Sequence, residues 1–255
     1  MQESRGKENN IKDYFIQGFS LLNRNIDLYF LALLFTLISF LIQHLYKLHL
    51  PIGFIITILS LVITVLSVSY SLTIPYFLSY KQIGKKLDYG FLWRTILHNA
   101  KRLILPIIVL TLIAVIAFIV IGIGIIVVVP LHVKNPQDFV RFLTQQGWIP
   151  WYVLFTTIFA VIFSFFTFTS IFFSVENLGI FNAWIKSIAF SFKNIEFVVL
   201  IMAISVMADF ITSFTSLIPF DRTFTTYLAL IPTQYIHLGI LASSLLFYQD
   251  RKKQH

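Results

Sequence analysis

The amino-acid sequence predicts an all-α integral membrane protein with six transmembrane helices, arranged as three hairpins that each follow a cytoplasmic interfacial amphipathic helix. The composition is 58% hydrophobic and 12% charged, whereas soluble domains average about 45–50% apolar and about 25% charged residues. The apolar residues lie in runs of ~18–20 or more, long enough to cross the hydrocarbon layer as helices. No run alternates with the period of two that a membrane strand requires. We therefore expect one polytopic membrane domain over residues 1–255.

Six segments have the length and hydropathy of membrane-spanning helices. They lie at roughly 28–46, 52–79, 103–131, 151–174, 196–219 and 224–248. Residues 1–10 form a polar tail, and the only sizeable connection is the predicted external loop over 131–150. The first 26 residues are polar and amphipathic, unlike a cleaved signal peptide. We therefore expect the first span to be retained as an anchor.

Each predicted hairpin follows a stretch whose apolar residues recur at helical spacing, which is typical of helices that lie in the headgroup region. The first apolar face consists of Ile11, Tyr14, Phe15, Gly18, Phe19 and Leu22. The second consists of Tyr89, Leu92, Trp93, Ile96, Leu97 and Ala100. The third consists of Phe181, Trp184, Ile185, Ile188, Ala189 and Phe192.

The first and third amphipathic stretches end in similar sequences. Arg24-Asn25-Ile26-Asp27 aligns without gaps with Lys193-Asn194-Ile195-Glu196, and the middle stretch contributes the weaker match Lys101-Arg102-Leu103. Small residues also recur along the second span of each hairpin, and such residues let helices approach closely in lipid. In the third hairpin these are Gly239 and Ser243. The pattern predicts a three-fold architectural repeat.

The basic residues predict the orientation of the chain. Fifteen of the 19 lysines and arginines precede span 1, follow span 6, or lie between spans 2 and 3 or spans 4 and 5. By the positive-inside rule, both termini lie in the cytoplasm and the protein is a multi-pass protein of the cell membrane. Topology thus accounts for the formal charge of +8, and we expect no nucleic-acid partner.

The sequence contains no arrangement that is typical of an intramembrane enzyme. It has no cysteine, no HExxH zinc motif and no Gly-rich serine with a partner histidine. Only one carboxylate, that of Asp209, lies away from the ends of a predicted span, so one chain cannot build a two-aspartate dyad. We therefore expect no catalytic residues, no metal site and no cofactor.

Asp209 and His237 form the one intramembrane polar pair, with Gln234 three residues before the histidine. An ionisable group in hydrocarbon costs at least ~2.5–3.5 kcal/mol, which makes it a candidate functional group. In one interpretation, adjacent helices bring the acid and the histidine together as a proton relay. In the other, which we favour, they form a buried structural pair, or the aspartate lies close enough to the outer surface to be hydrated.

The predicted cytoplasmic face offers two further groups of candidates. One is a set of basic residues that contact anionic lipid headgroups or, more commonly, only fix topology: Lys85, Lys86, Arg94, Lys101 and Arg102. The other is Glu176 with Asn177, at the mouth of span 4. These two residues either cap the helix that follows or line a cytoplasmic pocket.

Val175-Glu176-Asn177, followed by Gly179, Ala183, Lys186-Ser187 and Lys193-Asn194, resembles a group of six-span bacterial and archaeal membrane families. These include the membrane domain fused to some glycerophosphodiester phosphodiesterases. The resemblance extends over the whole chain in layout and rests on few identities. It implies the six-span fold, but the chain has no phosphodiesterase domain, so the enzymatic activity does not follow.

The function that these observations predict is non-enzymatic: a scaffold, or a protein that contacts lipid through its cytoplasmic helices. The expected partners are membrane lipids with anionic headgroups, a protein partner or a second copy of the chain. The alternative is a small transporter or permease that uses Asp209 and His237.

Overall fold

The computed structural model describes residues 10–47, 53–85, 88–132, 162, 164–215 and 222–254. All regular secondary structure in these residues is helical, which confirms the predicted all-α class. The helices are α1 (Ile11–Arg24), α2 (Ile26–Lys47), α3 (Gly53–Gln82), α4 (Tyr89–His132), α5 (Thr169–Ser174), α6 (Ile180–Lys193), α7 (Ile195–Thr215) and α8 (Arg222–Lys253).

Some of the described helices are suited to a membrane. By length and composition, the part of α3 over Ile55–Gln82 can cross a bilayer as a single helix. Two bent pairs also qualify when each pair is taken together, α1 with the start of α2 and α6 with the start of α7. The described residues therefore provide one membrane-spanning candidate, or up to three if each bent pair is one span. The six-span arrangement itself stays a prediction.

Four predicted spans correspond to helices in the structure. Spans 1, 2, 5 and 6 correspond to α2, α3, α7 and α8. Pro75 does not end α3, which continues to Gln82. A buried stretch that includes Ile74, Phe77 and Leu78 surrounds this proline, and this packing favours the helix although the proline removes one backbone hydrogen bond.

Half of predicted span 4 falls outside the described residues, as does the external loop predicted over 131–150 except for its first two residues, which belong to α4. The described end of span 4 is not a continuous helix, because a turn at residues 166–168 separates it from the short helix α5. Hydroxyl side chains in this segment bond to backbone carbonyls, as Thr167 Oγ1 does to Ser164 at 2.9 Å. Such bonds compete with regular helix geometry.

The middle repeat unit differs from its prediction. The amphipathic segment over 89–100 and span 3 form one unbroken helix, α4, rather than an interfacial helix followed by a span. The reason lies in one residue of the alignment. Asn25 and Asn194 end the helices of the other two units, whereas the middle unit has Arg102, a good helix former without a short capping side chain.

The core lies around the second half of α3. The first half of this helix contains several exposed large apolar residues, such as Ile55 at 62% and Leu61 at 58%, whereas Phe77 and Leu78 in the second half are at 0%. Buried residues from α1, the start of α2, α5, the start of α7 and the second half of α8 join this cluster. At its centre the rings of Phe197 and Phe247 stack with centroids 4.1 Å apart. The outward apolar surface on the first half of α3 is the kind of surface that lipid covers.

Candidate functional site

Two sharp bends connect the amphipathic helices to the apolar helices that follow them. The bend between α1 and α2 is 79°, and that between α6 and α7 is 104°. At each bend an asparagine has almost the same backbone conformation, φ −126° and ψ 41° at Asn25 and φ −128° and ψ 44° at Asn194. The side-chain amide of Asn25 donates to the Leu21 carbonyl at 2.7 Å, and that of Asn194 donates to the Phe190 carbonyl at 2.8 Å.

The same asparagines also begin the next helix. The Asn25 carbonyl accepts the backbone N–H of Leu28 at 3.0 Å, and the Asn194 carbonyl accepts that of Phe197 at 3.1 Å. Each asparagine therefore satisfies backbone groups on both sides of its bend. The aligned segments of the first and third units therefore form the same bend, and the unbroken helix α4 of the middle unit has none.

Helix α1 packs against α8 through small residues. A Cβ atom added to Gly18 would lie 2.6 Å from the backbone nitrogen of Ser243 and 2.7 Å from its Cα. One added to Gly239 would lie 2.3 Å from the ring of Phe19. The backbones of α1 and α8 thus approach closely at Gly18, as small residues permit in membrane proteins.

Polar bonds fix the two ends of the α1–α8 contact. Near the start of α1 the Tyr14 hydroxyl donates to the Asp250 carboxylate, and near its end the Tyr235 hydroxyl donates to Asn23 Oδ1 at 2.6 Å. The apolar face of α1 was predicted to lie in the headgroup region. In the structure this face is instead covered by protein, because α8 occupies the space that lipid was expected to fill.

Helix α6 has the opposite arrangement. Its buried residues are Ile180, Ala183, Ser187 and Ser191. The hydroxyls of Ser187 and Ser191 both donate to the Phe165 carbonyl, at 2.8 and 3.1 Å. The predicted apolar face of α6 points outward, with Ile185 66% and Phe192 65% exposed. The ring of Phe192 nevertheless contacts that of Phe165, with centroids 4.9 Å apart.

The junction before α6 is tied to α8. Glu176 accepts a hydrogen bond from the Tyr248 hydroxyl at 2.8 Å and forms an ion pair with Lys252. The bond from Lys252, followed by that from Tyr248, lowers the pKa of the Glu176 carboxyl. Of the two alternatives left open for Glu176 and Asn177, the structure does not form the helix cap, because the N-cap of α6 is Gly179 and no side chain bonds there.

Arg102 ties the same junction to α4. Its Nη1 donates to Asn177 Oδ1 at 2.8 Å, and its Nη2 donates to the Leu178 carbonyl at 2.6 Å. The guanidinium also lies 4.4 Å from the centroid of the Phe173 ring. Asn177 itself has a φ of 55°, a conformation that asparagine tolerates better than most residues. These internal contacts favour a structural role for Arg102 over headgroup contact.

The other predicted headgroup residues have different surroundings. Arg94 and Lys101 are exposed on α4, and Lys85 is exposed with its ammonium 5.2 Å from the centroid of the Tyr80 ring. Lys86 lies outside the described residues. Headgroup contact by these residues stays a prediction.

The intramembrane pair also stays a prediction. Asp209 lies on α7, and its side chain is outside what the structure describes. On α8, His237 is exposed and Gln234 is half-buried. Among the described side chains, no group of three His, Asp or Glu is placed to hold a metal ion.

Two adjoining concavities lie at the C-terminal end of α3. The first, here called the lysine pocket, has a volume of about 770 Å³ and is lined by Tyr76, Ser79, Tyr80, Gln82, Ile83, Lys85, Gln249, Lys252 and Lys253. The second, of about 580 Å³, is lined by Ile16, Gln17, Ser20, Leu21, Arg24, Asn25, Lys81, Gln82 and Leu246. Gln249 Nε2 donates to Gln82 Oε1 at 3.2 Å where the two meet.

The sequence does not predict the lysine pocket. The basic residues after span 6, which include Lys252 and Lys253, are expected only to fix topology, because nothing local in the sequence indicates that α8 ends beside α3. One usable signal was present: Tyr76, Tyr80 and Lys85 follow one another at spacings of four and five. On a helix, side chains at a spacing of four lie on one face, which brings the two rings together.

Comparison with family models, with curated proteins and with solved structures finds no match for this chain.

Proposed function

We propose that this chain is a multi-pass protein of the cell membrane, with six spans and both termini in the cytoplasm, that acts without catalysis as a lipid-contacting scaffold. The apolar helices with outward-facing side chains and the distribution of basic residues support this proposal. Membrane lipids are its first partners. A protein partner or a second copy of the chain would dock on the same cytoplasmic face.

The outward face of α6 carries the proposal. Phe181, Ile185 and Phe192 form an apolar stripe that is exposed along this helix, and Lys186 and Lys193 are exposed beside it. A helix with large apolar residues on one side and lysines on the other binds at the boundary of headgroups and acyl chains. The bend of 104° to α7 lets α6 lie close to the membrane plane when α7 crosses it.

Spin labels test this placement directly. The chain contains no cysteine, so single cysteines at Ile185 and Phe192, with Lys186 as the matched polar position, need no background substitutions. In liposomes we expect the labels at 185 and 192 to collide with oxygen, which concentrates in lipid. The label at 186 should collide with a water-soluble nickel chelate. Equal access of the chelate to all three positions would refute the proposal.

The topology needs its own test. Reporters fused to each terminus should both be found on the cytoplasmic side, because the basic segments are retained there. A reporter at either end found outside the cytoplasm would overturn the arrangement with both termini inside, whatever the labels on α6 show.

A further inference from the structure

We propose that the lysine pocket binds a phosphate-bearing anion, specifically the phosphate of an anionic lipid headgroup. The inference rests on the proposed function, since it assigns one site to the lipid contact that the function requires. It differs from the contact along α6, which is apolar and on another part of the molecule.

Charge is the first argument. Three lysines line the pocket, and its described lining contains no carboxylate. Lys252 is partly neutralised by its ion pair with Glu176. Lys85 and Lys253 are exposed and have no ion pair with any described residue. Two positive charges are therefore left for an anion, and lysine binds phosphate as a compact point charge.

The floor of the pocket orients one of these charges. The ring of Tyr80 stacks on Phe91 with centroids 5.0 Å apart, which fixes its plane. The Lys85 ammonium lies 5.2 Å from the centroid of the Tyr80 ring, within the range of a cation–π contact. An aromatic ring holds a cation without neutralising its charge, so Lys85 is positioned and still attractive to phosphate.

The wall toward α8 supplies hydrogen-bond donors. Gln82 accepts from Gln249 through its amide oxygen, which leaves the amide nitrogen of Gln82 to donate into the pocket. A site that combines lysine charge with amide donors matches the several acceptor oxygens of a phosphate group.

The size of the lysine pocket and the apolar residue in its lining indicate that a lipid is the source of the phosphate. The lysine pocket is an open concavity of about 770 Å³, which leaves room for a group larger than one phosphate ion. Ile83, an apolar residue of the lining, is 67% exposed. A ligand with a charged head and an apolar body satisfies both parts of this surface.

Titration calorimetry on the full chain in detergent tests the inference. The probes are short-chain phosphatidylglycerol, short-chain phosphatidylcholine and inorganic phosphate. We expect phosphatidylglycerol to bind more tightly than phosphatidylcholine. In the double variant Lys85→Gln/Lys253→Gln its affinity should fall about 25-fold, since each lysine near an anionic lipid contributes about fivefold.

The matched control is Lys12→Gln/Arg24→Gln, which removes two exposed charges from α1 that do not line the lysine pocket and should leave affinity within about twofold. Lys85→Arg/Lys253→Arg should retain binding and shows that charge is responsible. Weak or absent binding of inorganic phosphate supports the lipid source, whereas phosphate binding as tight as that of phosphatidylglycerol overturns it in favour of a free anion. Equal affinity for the two lipids, or equal losses in both Gln variants, overturns the pocket. The spin labels on α6 do not depend on the pocket, so either proposal can fail alone.

Discussion

Helices α1 and α6 bury equivalent positions but differ in the kinds of residue that they expose. Both have 14 residues and end in the same asparagine bend. The shared buried positions are Tyr14, Gly18 and Leu22 in α1 and Ala183, Ser187 and Ser191 in α6. The bulky residues lie inside in α1, where a glycine lets them approach α8. In α6 the inner face is small and hydroxylated, and the bulk lies outside.

Amphipathicity alone therefore does not show whether the apolar face of a helix contacts protein or lipid. The exposed residues of α1 are mostly polar and include Lys12, Gln17, Ser20, Asn23 and Arg24. Those of α6 include the apolar stripe of Phe181, Ile185 and Phe192. One structural unit is therefore used in two ways: α1 packs into the fold and lines a polar concavity, and α6 exposes its large apolar residues.

The largest loss of stability is expected from a substitution on the buried face of α1. Gly18→Leu places a side chain against the Ser243 backbone. Even a Cβ atom at this position would lie only 2.6 Å from the backbone nitrogen of Ser243. Because backbone on both sides must shift, we expect a loss of about 3 kcal/mol, at the upper end of usual overpacking costs. Thermal unfolding in detergent measures it. Ile16→Leu, at an exposed position of the same helix, is the control, and a Gly18→Leu variant as stable as this control would contradict the tight α1–α8 contact.

The next prediction concerns what the two helices share. Asn25→Ala and Asn194→Ala each remove a side-chain bond to the preceding turn, of 2.7 and 2.8 Å. We expect a similar loss of about 1 kcal/mol from each, the usual value of such a hydrogen bond. Asn182→Ala, at an exposed position of α6 away from the bend, is the control and should change stability by less than about 0.5 kcal/mol. Strongly unequal losses at Asn25 and Asn194 would show that the bends are alike in shape only.

The bends and the pocket mark the limit of what the sequence could predict. The all-α class and the two asparagine bends follow from local patterns, since apolar runs and a repeated Arg/Lys-Asn-Ile-Asp/Glu segment are visible in a linear chain. Which element packs against each helix face does not follow from such local patterns. That α8 covers α1, and that Lys253 lies near Lys85, depends on tertiary packing between residues far apart in sequence.

The pH dependence of stability tests the junction that precedes α6. The pKa of Glu176 is lowered by Lys252 and Tyr248, so its contribution is present above its unfolded pKa of about 4.3. That contribution is lost as pH falls through the lower folded value. We expect Glu176→Gln to lose at most about 1 kcal/mol at pH 7, since Lys252 is largely exposed.

The same variant should unfold with a shallower dependence on acid than the parent between pH 5 and 3. Asn182→Gln, at an exposed position of α6 that does not titrate, is the control and should reproduce the acid dependence of the parent. Identical acid curves for the parent and Glu176→Gln would show that the tie to α8 does not depend on the charge of Glu176.

The smallest change in stability is expected from substitutions on the exposed faces of α1 and α6. Ile16 and Ile185 occupy aligned positions and are almost equally exposed, at 70% and 66%. In detergent we expect Ile16→Asn and Ile185→Asn each to change stability by less than about 0.5 kcal/mol, as exposed substitutions usually do. In liposomes only Ile185→Asn should be destabilising, because its amide replaces apolar surface that lipid covers. Equal stability of the two variants in liposomes would mean that the outer faces of α1 and α6 meet the same surroundings.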